Sequence, residues 1–524
     1  RNKGGNILFK SLTILALGAG MLASCTRDLN TSPVNAITSA TVYADFANYK
    51  PILAKIYAGY AVSGQEGPAG KPDIAGIDEG FSSYIRQYFK AQELTTDEAV
   101  IGWNDGTIKD YHWMKWTSTN EFVAAMYNRI FYQIVLCNEF IRETQDDKLA
   151  ARGISGANAD LAKMYRDEAR FCRALSYWHA LDMFGNVPFV TENDKVGSTL
   201  PKQTDRATLF AYIEGELLAI ENTLKDPKTN EYGRADKAAA WMLLANLYLN
   251  AQVYTGTAKN TEAATYAKKV MDVTGYSLET KYANLFLADN HKSNEIIFAI
   301  NFDGNNTRTY GGTTFLVHAA VGGSMSAAAY GVDGGWGGLR TTAALVDKFT
   351  DTADKRGIFH TAGQTKAIAD IGEFTNGYAI GKYKNVTSTG ATGSNLTFVD
   401  TDFPIFRLGE AYLIYAEAVK RGGTGDATLA LNKLVALRTR AGITANLASY
   451  DLNYIIDERA RELYWEGHRR TDLIRFGLFT SGTYVWPWKG NTINGQAVES
   501  WRNLFPIPSA DINANPNLVQ NTGY

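Results

Sequence analysis

The stretch GRADKAAAWMLLANLYLNAQVYTG, Gly233–Gly256, decides the fold. Within it Trp241, Leu244, Ala245 and Tyr248 stand at offsets 0, 3, 4 and 7, the spacing that lines one face of a 3.6-residue helix. The same four positions match the first-helix signature of a tetratricopeptide repeat, W-x2-L-G-x2-Y, with Ala245 in place of the glycine. A small residue there lets a partner helix approach closely, and a second helix is expected around Ala263 to Val273. Three further stripes repeat the offsets: Tyr127/Ile130/Phe131/Ile134, Phe171/Ala174/Leu175/Trp178 and Leu408/Ala411/Tyr412/Tyr415, the last followed by a helix over Ala427 to Arg440. These units are degenerate and unevenly spaced. The fold class is therefore mainly α, with tetratricopeptide-like helix pairs stacked into a curved scaffold.

Working outward, the 524 residues are 45% hydrophobic and 20% charged, enough apolar material for a large packed core. Lys+Arg 52 against Asp+Glu 54 leaves a net charge of -2, so no summed positive field exists to draw in nucleic acid. Aromatic residues make up 12% of the chain, and 48 are glycines, a mixture suited to a binding surface. At the start, Lys3 and Lys10 precede an apolar run from Leu12 to Leu22 that is too short to span a bilayer. Leu22-Ala23-Ser24-Cys25 then resembles the lipobox of bacterial lipoproteins, in which the cysteine is acylated and becomes the new terminus. The expected organisation is a signal peptide over 1–24, a lipidated tether over 25–40 beginning at Cys25, and one domain over 41–524. Multiple acyl chains on one residue give stable anchoring.

Catalytic constellations are absent from the sequence. The six histidines (His112, His179, His291, His318, His360, His468) show no H-E-x-x-H or Cys/His metal spacing. Gly70-Lys71 is followed by Pro72 without Walker spacing, and Gly323-Ser324 does not complete G-x-S-x-G. Cys137 and Cys172 sit in apolar helical patterns and read as small buried hydrophobes. No cofactor is required by this reading. Asp400-Thr401-Asp402 beside Asp289 offers carboxylates for a structural calcium, with solvated loop carboxylates as the plainer reading. The densest charge run, DERARELYWEGHRRTDLIRFG over Asp457 to Gly477, pairs Asp457 with Arg461 and Glu466 with Arg470 at i, i+4 and reads as a salt-bridged amphipathic helix capping the scaffold.

Helical periodicity fails in two places. Between Gly304 and Gly338 ten glycines interleave with Tyr310, Phe315, Tyr330 and Trp336, within a loop-rich insertion of about residues 280 to 400; a second such region runs from Phe81 to Trp116. Structured loops of that length are usually functional.

Four segments together resemble the SusD/RagB family of surface glycan-binding lipoproteins: EARFCRALSYWHALDMFGNVPF (Glu168 to Phe189), the Gly233 to Gly256 stretch, EGHRRTDLIRFG (Glu466 to Gly477) and FPIPSADINANPNLVQNTGY (Phe505 to Tyr524). The resemblance implies a tetratricopeptide-like scaffold, glycan binding without catalysis, an outer-membrane location facing the exterior, and a SusC-like TonB-dependent transporter as partner. Within the family the likeness is greatest to the starch-binding founding member, whose glycan rests on an arc of aromatic rings. Carried over residue by residue, it implies Asp78 and Arg86 in GIDEGFSSYIR, Trp103 in TDEAVIGWNDG, Tyr310 in TRTYGG and Trp336 in GGWGG. Two positions depart from that pattern. Ile101 stands where the founding member carries a second tryptophan, and Gly106 where it carries a polar contact, for which Asn104 substitutes.

The chemistry fits independently. Pyranose rings present C–H-rich faces that stack on aromatic faces, while their hydroxyls need a carboxylate or a guanidinium at the rim. Three rings along a curve suit the bend of an α-1,4-glucan, hence starch or maltooligosaccharide, and fit a flat β-linked chain poorly. The alternative is that Trp103, Tyr310 and Trp336 merely pack their loops. A different glycan, a surface glycoside hydrolase with paired carboxylates, and a peptide-binding tetratricopeptide scaffold stay open beside the starch reading.

Overall fold

The computed structural model describes residues 39–524 except 79, 195, 196, 198 and 199. The signal peptide, Cys25 and nearly all of the tether lie outside the described residues. Two units are distinguished, Arg1–Tyr49 and Lys50–Tyr524. In the first, Ser39–Val42 is helical, and the Asp45 carboxylate accepts the Ala47 amide at 2.9 Å to start the turn Phe46–Asn48.

The second unit is built on helices α1 (Tyr84–Glu93), α2 (Glu121–Glu143), α3 (Gly156–Phe184), α4 (Arg206–Ile220), α5 (Lys237–Leu249), α6 (Asn260–Met271), α7 (Gly312–Ala320), α8 (Leu408–Lys420), α9 (Ala427–Arg440), α10 (Leu452–Leu463) and α11 (Arg469–Arg475). Short polar side chains start several of them. Asn120 accepts the amides of Phe122 and Val123, Asp205 that of Thr208, Asp236 that of Ala239 and Asp426 those of Thr428 and Leu429. Helix α2 packs on α3, α3 on α4, α5 on α6, α6 on α8 and α8 on α9. Those contacts bury Leu244, Ala245 and Tyr248 of the signature stretch and leave Trp241 half-buried, its indole N–H held by Glu221 at 3.0 Å. Fully burying a leucine or phenylalanine side chain stabilises by about 1.5–3 kcal/mol, so these interhelical stripes are the main cohesive term of the scaffold.

Two short antiparallel ladders pin the insertion to the helices. Strand β1 (Val100–Ile101) pairs with β3 (Leu339–Arg340), and β2 (Ile296–Ile300) with β4 (Phe403–Arg407). Both glycine-rich regions contain helices that periodicity did not reveal, which corrects their reading as loops throughout. Both helices are buried at every residue: helix α7, GTTFLVHAA, carries no polar face that would make a stripe visible, whereas helix α1, YIRQYFKAQE, does segregate polar from apolar residues and is short enough to have been passed over.

The charge run is also corrected. Helix α10 ends at Leu463, the chain turns through Trp465 (φ 62°) and Gly467 (φ 84°), and α11 begins at Arg469. Glu98 accepts the Trp465 amide at 3.2 Å and Glu93 that of Gly467 at 2.6 Å. A Cβ at position 467 would lie 2.3 Å from the Tyr88 ring, so glycine is required there for both its φ and its space. Neither i, i+4 pair forms. Asp457 meets Lys348 at 2.7 Å, Glu466 meets Arg407 at 2.6 Å and Lys382 at 2.8 Å, and Arg470 meets Asp182 at 2.9 Å. Most of these groups are buried, and Glu462 sits among three guanidinium groups: Arg407 at 2.7 Å, Arg356 at 3.0 Å, and Arg440. Burial alone would push Glu462 up; the cations of Arg440, Arg407 and Arg356 hold it well below the usual carboxylate range.

Candidate aromatic arc

The β1–β3 ladder continues through the Gly102 amide, which donates to the Gly338 carbonyl at 3.1 Å, and so lays Trp103 beside the backbone of 336–338. A Cβ on Gly338 would fall 2.5 Å from the Trp103 indole, so this approach needs glycine. The Trp103 Nε1–H donates to the Trp336 carbonyl at 3.4 Å. Trp336 follows α7 and is tied back to it by its amide, which donates to the His318 carbonyl at 2.7 Å. Tyr310 precedes α7, its ring 5.2 Å from that of Phe398.

These placements bring the three expected rings into one row. Trp103 and Trp336 have centroids 6.3 Å apart at 45°, and Trp336 and Tyr310 are 6.4 Å apart at 51°. All three are half-buried, and neighbouring rings are inclined to each other rather than coplanar.

Arg86 reaches the row from α1. Its Nη1 donates to the carbonyls of Gly80 at 2.8 Å and Tyr310 at 3.0 Å, and its guanidinium lies 4.5 Å over Phe315 and 5.9 Å from the Trp103 ring. Its Nε has no protein partner. Burial pushes Arg86 down to about 10, against the attraction of Asp105 and Asp78. Asp78 is exposed, and its Oδ1 accepts the amides of Gly80 at 2.8 Å and Phe81 at 3.3 Å, closing a turn whose carbonyl is the one that Arg86 holds. Asn104 is exposed next to Trp103. Ile101 is fully buried in the ladder, with its side chain in the core. Gly106 has φ 43°, and a Cβ there would strike the Glu121 carboxylate, so a larger residue would require rearrangement at this point.

Three residues behind the row were not picked out from the sequence: Phe315 under Arg86, Phe398 beside Tyr310, and His318, whose ring stacks on Trp336 at 4.7 Å and 19°. Phe315 was visible only as one more aromatic residue in the glycine-rich stretch. Tyr330 stands apart from the row, under Lys384 at 4.8 Å.

The other candidates have separate settings. Asp289 takes the Ser388 amide and hydroxyl, each at 2.7 Å, Asp400 those of Ser394, each at 2.6 Å, and Asp402 the Phe302 amide and Tyr232 hydroxyl, each at 2.8 Å. Among the described residues, no group of three or more His, Cys, Asp or Glu converges as metal ligands do. Cys137 and Cys172 are buried, and burial pushes the Cys137 thiol up to about 12 and Cys172 well above its ordinary value, a setting for inert thiols. No described helix is long and apolar enough to cross a membrane.

Comparison with known proteins agrees with this architecture. The model described as SusD family matches residues 359–524. Starch-binding protein SusD of Bacteroides thetaiotaomicron is 37% identical over 99% of this chain and 98% of its own length. SusD-like protein P25 of Formosa agariphila is 25% identical over 68% of this chain and 72% of its own. Among solved structures, surface glycan-binding protein A from Bacteroides thetaiotaomicron, in complex with laminarihexaose, shares the fold at a TM-score of 0.70, with 21% identity and coverage of 91% of this chain and 99% of that one. With the helical scaffold in place and 37% identity to a SusD protein running along nearly the whole length, the chain belongs to the SusD family.

Proposed function

We propose that this protein captures starch-derived maltooligosaccharides on the row Trp103–Trp336–Tyr310, with Arg86, Asp78 and Asn104 at its rim. As a SusD-family member it is a glycan-binding protein and not an enzyme. The observation that carries the starch reading is the succession of three half-buried, mutually inclined rings spaced by 6.3 and 6.4 Å, in a chain 37% identical to a starch-binding protein. Inclined rings follow the turn of an α-1,4-linked chain, each pyranose face meeting an aromatic face. Lipidation at Cys25 anchors the protein on the outer membrane, and a SusC-like TonB-dependent transporter receives the sugar. Loss of the protein from the outer-membrane fraction in Cys25→Ala checks the anchor.

A second reading, a β-linked glucan, is favoured by one observation: the structural relative above was solved with laminarihexaose. Affinity electrophoresis of the mature protein in gels containing starch, pullulan, laminarin, levan or xylan separates the two. Retention by starch and pullulan is expected. Retention by laminarin alone replaces starch with the β-linked glucan, and retention by none removes the binding reading.

A further inference from the structure

His318 lies in the last turn of α7 with no exposed surface, and both of its ring nitrogens face carbonyl oxygens: Nδ1 faces Gly334 O at 2.6 Å and Nε2 faces Thr397 O at 2.8 Å. A carbonyl oxygen only accepts. A neutral imidazole has one N–H and one lone pair, so it satisfies one of these oxygens and repels the other. A ring carrying both protons donates at both ends, and its face is then a cation against the Trp336 indole at 4.7 Å and 19°. The two carbonyls belong to the two segments that frame the aromatic row: Gly334 to the loop that carries Trp336, and Thr397 to the strand of chain leading to Phe398 under Tyr310.

None of the described charged groups on the surrounding elements is bonded to this ring. Asp333 accepts the Thr397 hydroxyl at 2.5 Å, and Asp400 is held by Ser394 and by the Gly304 amide. Arg340 on β3 donates to backbone carbonyls, including Gly338 at 2.8 Å, while Arg86 and Lys90 lie against Phe315 on the same helix. Among the described residues no carboxylate pairs with this ring, so its two carbonyl acceptors are what hold it.

We propose that His318 is a positioning residue for the glycan face: a buried imidazolium, donating from both nitrogens, that ties the Trp336 loop to the 394–398 segment and fixes the tilt of the Trp336 indole. This rests on the reading of Trp336 as a sugar-stacking ring. Loss of one proton frees one of the two segments, and starch affinity falls as pH rises while the scaffold stays folded.

The test reads the proton count and the affinity separately. In 15N-histidine spectra of the intact, glycan-free protein, His318 is expected to show two protonated nitrogens at neutral pH. Calorimetric titration with maltoheptaose from about pH 5.5 to about pH 9 is expected to show affinity falling about three- to tenfold in step with that signal. His318→Gln, which can donate to only one carbonyl, is expected to bind as weakly as the deprotonated protein, with a flattened pH profile. A bare nitrogen on His318 at neutral pH, or wild-type affinity that is flat while the ring loses its proton, overturns the proposal; both are measured on the wild type and do not depend on the variant folding. If Trp336→Ala binds maltoheptaose normally, the aromatic-row reading fails instead, whatever the state of His318.

Discussion

Arginine serves opposite ends in the two halves of this molecule. Around α8 to α11 two buried guanidinium groups are surrounded by carboxylates: Arg407 meets Glu295, Glu462 and Glu466, and Arg356 meets Asp354, Glu458 and Glu462. Burial opposes their charge, yet those carboxylates hold both arginines well above their ordinary value. Arg86, beside the aromatic row, is bonded only to backbone carbonyls and lies over aromatic faces; burial pulls it down to about 10. Arg407 and Arg356 are neutralised by bonded carboxylates, whereas Arg86 has no carboxylate bonded to it among the described residues. A cation ringed by carboxylates closes a structure, whereas one without a bonded counter-charge beside stacked rings leaves a positive field at the edge of the row.

The contrast breaks most visibly at Glu462. Replacing it with Gln leaves Arg407, Arg356 and Arg440 without their shared counter-charge, and removing one member of a buried ionic network costs about 3–5 kcal/mol. The denaturant midpoint of Glu462→Gln is expected to drop accordingly, while starch affinity of the remaining folded protein is unchanged. A loss of affinity without a loss of stability would erase the distinction between the two regions.

Trp336→Ala should do the reverse. Truncation of a tryptophan at a binding hot spot typically costs more than about 2 kcal/mol of affinity, whereas the same change in a core costs roughly 3–5 kcal/mol of stability. Because Trp336 is half-buried on a loop, most retention in starch gels is expected to vanish with the unfolding midpoint little moved. A large midpoint shift with retained binding would assign the ring to packing.

The pH profile of stability sharpens the comparison from the scaffold side. Burial pushes Glu410 up to about 8 despite the nearby charges of Arg459 and Arg407; its Oε1 accepts from Asn246 at 2.8 Å and its Oε2 has no partner. Folded Glu410 therefore keeps a proton that the unfolded chain releases above about pH 4.5, so its contribution is greatest at low pH and is lost between that pH and about pH 8. One such group gives a slope of at most about 1.4 kcal/mol per pH unit. Glu462 and Asp472, held down by arginines, act in the other direction: their contribution is present above the ordinary carboxylate range and is lost as acid protonates them. Glu410→Gln, which mimics the protonated form, is expected to flatten the fall in stability between about pH 4.5 and about pH 8 and leave the acid limb intact.

How far the sequence reaches follows the same division. Helix α9 occupies the expected 427–440, and the Trp241 stripe falls inside α5, where repeat-like spacing marked the helix although α5 is buried on nearly every side and Trp241 is one of its less buried residues. The charge run misled because i, i+4 spacing is local, while the actual partners are distant: Glu466 bonds Arg407 59 residues away, and Arg470 bonds Asp182 288 away. In the aromatic row, Trp103, Tyr310 and Trp336 were legible as large rings among glycines and through their likeness to a family. His318, Phe315 and Phe398 were not, since nothing in one dimension tells a ring behind the row from any other buried aromatic residue.

The smallest expected effect lies at Asp78, where two roles can be pulled apart. Its Oδ1 closes the turn over Gly80 and Phe81, and the carbonyl of that turn is held by Arg86, so Asp78 positions the guanidinium as well as offering its own charge at the rim. Asn keeps the turn acceptor and removes the charge; Ala removes both. An exposed carboxylate bonded to a sugar hydroxyl competes with water, so loss of the charge alone should weaken maltoheptaose binding by roughly two- to threefold. If the turn is the larger contribution, Asp78→Asn binds nearly as wild type and Asp78→Ala is the weaker of the two, with Arg86→Lys matching it because an ammonium loses the planar stack of the guanidinium over Phe315. Equal losses in Asn and Ala place the effect in the charge itself. Wild-type affinity in all three variants would remove Arg86 and Asp78 from the rim and leave binding to the rings alone.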